Sequence, residues 1–78
     1  MDTNFIISLD SIADVNAFAN TIAHFKSEID LSSGRYIVNA KSIMGIFSLD
    51  LTRPLTLTVH GKEELEEISS AVAPYLKK

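Results

Sequence analysis

The chain contains no cysteine, which removes any disulfide frame, zinc–thiolate site or thiol chemistry and is compatible with a reducing compartment. No uninterrupted apolar run exceeds three residues, so neither a signal peptide's apolar core nor a membrane-spanning helix is expected, and a cytoplasmic protein is. Basic residues are few and scattered. Seven Lys and Arg against ten Asp and Glu give a net charge of −3, the wrong sign for neutralising nucleic-acid phosphates. There is no Gly-rich phosphate loop, nucleophile elbow or pairing of carboxylates for acid–base work. Repeats, low-complexity tracts and linkers are missing as well. Seventy-eight residues, 46% of them hydrophobic, then describe a single domain over residues 1–78 with a core too small to enclose a deep substrate cavity. A protein-binding module is favoured over an enzyme, with no cofactor implied.

What is present is strong periodicity. Asn4 to Leu9 places Phe5, Ile7 and Leu9 on one face and reads as a strand. From Ser11 the apolar positions Ile12, Val15, Phe18, Ala19, Ile22 and Ala23 recur at three- and four-residue steps, one side of a helix. Ser11 with Asp14 resembles a capping box, and the carboxylate suits the positive first turn. Phe25, Ser27, Ile29 and Leu31 switch to a period of two, Ser32-Ser33-Gly34 supplies a turn, and Tyr36 to Ala40 returns as the second strand of a hairpin. Ser42 to Leu49 carries Ile43, Met44, Ile46 and Phe47 at helical spacing and allows one or two turns. After a turn ending at Pro54, Leu55, Leu57 and Val59 alternate with Thr56, Thr58 and His60. A final helix has four glutamates near its start, Leu65, Ile68, Val72 and Leu76 on one face, and Pro74 near its end, where the missing backbone donor stops regular helix. The order strand, helix, strand, strand, short helix, strand, helix predicts an α+β fold with three helices on one face of a four-stranded antiparallel sheet.

The residual candidates for chemistry are weak. His24, near the end of the first helix, and His60, at a strand end, read as solvated or capping residues, without metal-ligand spacing. The run Glu63-Glu64-Leu65-Glu66-Glu67 reads as a solvated helix face. Tyr36 and Tyr75 are expected to pack with their hydroxyls at the rim of the core.

One segment is specific. Lys41-Ser42-Ile43-Met44-Gly45-Ile46-Phe47-Ser48-Leu49 closely resembles the regulatory segment of HPr, the histidine-containing phosphocarrier protein of the bacterial sugar phosphotransferase system, in its Gram-positive form. The element order matches that family's open-faced β-sandwich (βαββαβα) along the whole chain, and Asn39, Leu51 and the last helix also fit. The resemblance implies that Ser42 is the target of an HPr-kinase/phosphorylase-type enzyme. It also implies a transcriptional regulator of carbon metabolism as partner, with Lys41, Ile43, Met44 and Phe47 as contact residues. It implies neither direct nucleic-acid binding nor a membrane.

Local physics supports a switchable anion at Ser42. The residue begins a short helix whose first N–H groups are free, and a phosphate adds about −1.5 to −2 charge there. Four apolar side chains on so short a helix cannot all face one core, so some should be exposed beside the serine. The plainer reading makes Ser42 an N-cap and its neighbours core.

The relay chemistry of the family, by contrast, has no counterpart. Its phosphoacceptor histidine sits in a Gly-Leu/Ile-His-x-Arg-Pro pattern at the start of the first helix. Here that region reads Leu9-Asp10-Ser11-Ile12-Ala13-Asp14, which puts Ser11 at the degenerate histidine position, Ala13 at the arginine and Asp14 at the proline. A serine phosphate ester is too stable to hand its phosphoryl group onward. The chain is thus similar in logic to the catabolite-repression paralogue of HPr, which also lacks the histidine. Two other readings stand beside this one: a phosphorylation-independent interaction or structural domain on the same scaffold, and, on fold analogy alone, a small-molecule sensor.

Overall fold

A computed structural model describes residues 2–76. Four strands, β1 (Asp2–Ile7), β2 (Glu28–Ser33), β3 (Tyr36–Asn39) and β4 (Leu55–His60), alternate with helices α1 (Ile12–Ile22), α2 (Ile43–Phe47) and α3 (Leu65–Val72). A 3-10 turn over Ala73–Tyr75 follows. The sheet runs β1-β4-β2-β3 with every pair antiparallel, so the first and last strands pair, β4 and β2 are central, and β1 and β3 form the edges. The alternation Leu55, Leu57, Val59 is realised directly. All three are fully buried, while Thr56, Thr58 and His60 face the other way on the central strand β4. Cross-strand partners share a face, so Phe5, Leu57, Leu31 and Val38 form one row beneath the helices. Val15, Phe18 and Ile22 of α1, Ile46 of α2, and Ile68 and Val72 of α3 close that layer with no exposed surface. The opposite face is open. Its rows are Asp2, His60 and Glu28; Asn4, Thr58, Asp30 and Asn39; and Ile6, Thr56, Ser32 and Ile37.

The element order and the α+β architecture agree with the sequence pattern, and three boundaries move for local reasons. β1 starts and ends two residues earlier than the apolar alternation predicts. Leu9 is buried, but the chain has left the ladder by then: Ser8 N donates to Tyr75 O at 2.8 Å and Ile7 bridges Leu76. β2 begins at Glu28 because residues 25–27 are held by α3 and Lys41, as described below, and not by a strand partner. α3 starts at Leu65 and ends at Val72, where Pro74 converts the last turn to 3-10 geometry. Tyr75 packs edge-on against Phe18 with ring centroids 5.5 Å apart. Tyr36, expected at the core rim, is instead 73% exposed.

Candidate functional site

Two helix starts lie on the helical side of the molecule, each capped by serine. At α2, Ser42 takes an extended backbone conformation and its Oγ accepts a hydrogen bond from Gly45 N at 3.0 Å, while its carbonyl receives Ile46 N at 2.9 Å. The chain is delivered there by Asn39, whose Oδ1 accepts from Lys41 N at 2.8 Å and whose carbonyl accepts from Ser42 N at 3.0 Å. The absence of a side chain at Gly45 suits this packing. A Cβ at that position would lie 3.2 Å from both Ser42 Oγ and Val38 Cβ, tighter than ordinary contacts. The Ser42 side chain faces solvent.

Ile46 anchors α2 in the core and thereby turns the rest of the helix outward. Ile43 is 37% exposed, Met44 86% and Phe47 43%. The expected apolar border of Ser42 is therefore present. It extends further than the sequence indicates, because Ile12 of α1 is 70% exposed. A cleft of about 380 Å³ runs between Ser11 and Ile12 on one side and Phe47 and Leu51 on the other. Ile12 belongs by periodicity to the apolar stripe of α1 but lies outside the core. It is the first helical residue after the cap, one turn before Val15.

Lys41 is placed differently from its neighbours. It is half-buried and its Nζ donates to Phe25 O at 2.6 Å. The same loop receives Glu64 Oε1, which accepts from Lys26 N at 2.8 Å, Ser27 N at 2.7 Å and Ser27 Oγ at 2.9 Å. The two Ser27 hydrogen bonds hold the Glu64 carboxyl below its usual range, with Lys26 N and the Lys41 charge adding to them. Glu64 is thus a clasp between α3 and the α1–β2 loop, and not a member of a purely solvated glutamate face.

At α1, Ser11 Oγ accepts from Asp14 N at 3.1 Å, and Asp14 Oδ2 accepts from Asp10 N at 3.2 Å. The carboxylate reaches the residue before the cap, one position off the usual capping box. This turn, Leu9 to Asp14, contains no histidine or arginine.

The two histidines lie elsewhere. His24 is exposed just beyond the end of α1. His60 sits on the open face between two carboxylates, Nδ1 at 3.1 Å from Asp2 Oδ1 and Nε2 at 2.7 Å from Asp30 Oδ2. Hydrogen bonding to Asp30 first, then to Asp2, raises its pKa and so favours the imidazolium, the form in which both ring nitrogens donate. Sequence reasoning missed this triad. Only the register, which pairs His60 with Asp2 on β1 and sets Asp30 diagonally across β2, reveals it. Among the described residues no group of three or more His, Cys, Asp or Glu is arranged to hold a metal ion, and no helix is long and apolar enough to cross a membrane.

Comparison with known proteins agrees with this geometry. Residues 14–77 match the PTS-HPr family, described as PTS HPr component phosphorylation site. Phosphocarrier protein HPr from Bacillus anthracis is 29% identical with a TM-score of 0.70, covering 99% of this chain and 96% of its own. HPr-C-His from Thermoanaerobacter tengcongensis is 29% identical with a TM-score of 0.69, covering 92% and 86% respectively. The histidine-containing phosphocarrier protein of a Mycoplasma shares the fold at 19% identity, with a TM-score of 0.71 over 95% of this chain and 89% of its own. No curated protein gives a significant match. Family proteins are phosphocarriers and not enzymes. With its sheet order, its helical layer and a match over residues 14–77, the chain belongs to the HPr family of the phosphotransferase system.

Proposed function

We propose that this protein is a regulatory member of the HPr family that has no phosphohistidine relay and is switched by phosphorylation of Ser42. The observation that carries the reading is the outward Ser42 hydroxyl at the start of α2, bordered by exposed Ile43, Met44 and Phe47. An HPr-kinase/phosphorylase-type enzyme transfers the γ-phosphoryl group of ATP to Ser42 Oγ. The new O–P bond forms as the bond to the β-phosphate oxygen breaks, ADP leaves, and the hydroxyl proton passes to a base on the kinase. The phosphate adds about −1.5 to −2 charge to a chain of net −3, directly beside an apolar patch.

The modified face then docks on a transcriptional regulator of carbon metabolism through Ile43, Met44 and Phe47. Ile12 enlarges the patch across the cleft from Phe47. Lys41, next to the serine in sequence, joins the contact on leaving Phe25 O. Ser11 stands at the former phosphohistidine position and carries no phosphoryl group, since its ester would not transfer and Asp14 opposes the incoming charge.

A second reading is favoured by the hydrogen bond from Gly45 N: Ser42 serves only as an N-cap, and the face binds its partner unmodified. Incubation with ATP and an HPr kinase, followed by intact mass and fragment mapping, separates the two. One phosphate on Ser42, abolished by Ser42→Ala, supports the switch. An unmodified chain supports the scaffold.

A further inference from the structure

Both arginines of the chain converge on one concavity away from Ser42. The β2–β4 register, ending at Ser32↔Thr56, sets the β2–β3 turn beside the loop that enters β4. Gly34, with φ +60°, makes that turn and puts Arg35 at its tip, while Arg53 lies two residues before β4. The two side chains line a single cleft of about 470 Å³ together with Ser33, Tyr36, Ser48 and Asp50.

The charges in this cleft do not balance. Arg53 Nε is 3.6 Å from Asp50 Oδ2, and Asp50 is kept ionised by the Thr52 hydroxyl and amide, which lower its pKa. Arg35 makes no hydrogen bond or ion pair among the described residues. Two cations facing one anion leave the concavity positive in a protein of net negative charge. Guanidinium groups sharing a cleft repel unless an anion lies between them, and their forked donors fit phosphate oxygens. The Asp50 contact engages Nε of Arg53, and its terminal nitrogens have no partner among the described residues. The Tyr36 ring is exposed at the rim, and its hydroxyl is a further donor. Ser48 Oγ already donates to Gly45 O at 2.6 Å, so it is not one of the phosphate donors.

We propose that the cleft between the β2–β3 turn and the loop before β4 binds a small phosphate-bearing molecule, gripped from two loops by Arg35 and Arg53. Its volume lies within the range of small-ligand sites, about 300–1,000 Å³. The several oxygens of a phosphate can meet both forked guanidinium groups at once, where a single carboxylate would satisfy only one. This site is independent of whether Ser42 is modified, since it lies beyond the other end of α2.

The test is a titration of the 15N-labelled full chain with sodium pyrophosphate at constant ionic strength, followed by 1H–15N NMR. Saturable shifts are expected at Gly34, Arg35, Ser48 and Asp50–Arg53, with affinity reduced about tenfold in Arg35→Gln and lost in Arg35→Gln/Arg53→Gln. Lys62→Gln, away from the cleft, should bind as the parent does. Shifts in the parent chain that grow without saturation, or that spread equally over the lysines, would overturn the proposal. So would saturable binding retained by the double variant.

Discussion

Ser42 Oγ lies 3.0 Å from Gly45 N, close enough that a single methyl group on residue 45 would press on the hydroxyl. The relationship ties the stability of α2 to the residue proposed as the switch. Removing the hydroxyl by Ser42→Ala should cost about 1 kcal/mol in urea unfolding, the typical worth of an N-cap, and Ser42→Asp should cost less because a carboxylate caps the same amide.

Gly45→Ala sets two effects against each other. Alanine is the better helix former by about 1 kcal/mol, but its methyl group must displace Ser42 Oγ or Val38. Because Val38 is packed against the core and Ser42 is capping, we expect a net loss of stability, read by urea unfolding. The Ser42 environment should shift in NMR spectra, while the distant β1 resonances should not.

The division of labour within α2 predicts opposite phenotypes for neighbouring residues. Ile46→Ala should lose about 2–5 kcal/mol of folding stability, whereas Met44→Ala should change it by less than about 0.5 kcal/mol. On the regulator the order reverses. Met44→Ala and Phe47→Ala should weaken docking of the phosphorylated protein by about tenfold or more, measured by calorimetry with folded variants.

His60 and Glu64 set the pH dependence from opposite sides. The folded-state pKa of His60 is raised from 6.5, so its contribution is complete below the unfolded value and fades as pH rises through the folded one. Asp2, Glu28 and Asp30 are the charged groups facing it from β1 and β2. Glu64 has a lowered pKa, so its contribution is present above 4.5 and is lost as pH falls through the folded value. Both groups are only half-buried and remain open to solvent on one side, so the effects should be small and should shrink with added salt. His60→Gln should flatten the alkaline arm alone in a stability–pH series, and Glu64→Gln the acidic arm alone.

The clasp at Glu64 is testable through exchange. Glu64→Ala removes the acceptor of three donors and should speed amide hydrogen exchange at Lys26 and Ser27 without altering the central strand β4. Glu64→Gln retains a carbonyl acceptor and should fall between the two.

How much of this was legible in the sequence depends on how local each cause is. Leu55, Leu57 and Val59 sit on a central strand buried on one face, so period-two alternation identified them at once. The cap at Ser42 and its exposed apolar border were legible because a capping residue and an apolar surplus on a short helix are neighbours in sequence. Ile12 was misplaced, since periodicity gives the side of a helix but not where its partner layer stops. The start of β2 was misplaced because residues 25–27 are held by Glu64 and Lys41, contacts that no alternation encodes. The His60 triad and the Arg35–Arg53 cleft depend on strand order and register, which join residues 18 to 58 positions apart.

The role assigned to Ser42 is tested most directly by a paired phosphorylation assay on the full chain. With ATP and an HPr kinase, mass mapping should find one phosphate on Ser42 and none in Ser42→Ala. With phosphoenolpyruvate and the general phosphotransferase enzyme, no acid-labile phosphate should form. An unmodified Ser42 in the first arm, or phosphohistidine at His24 or His60 in the second, would contradict the account.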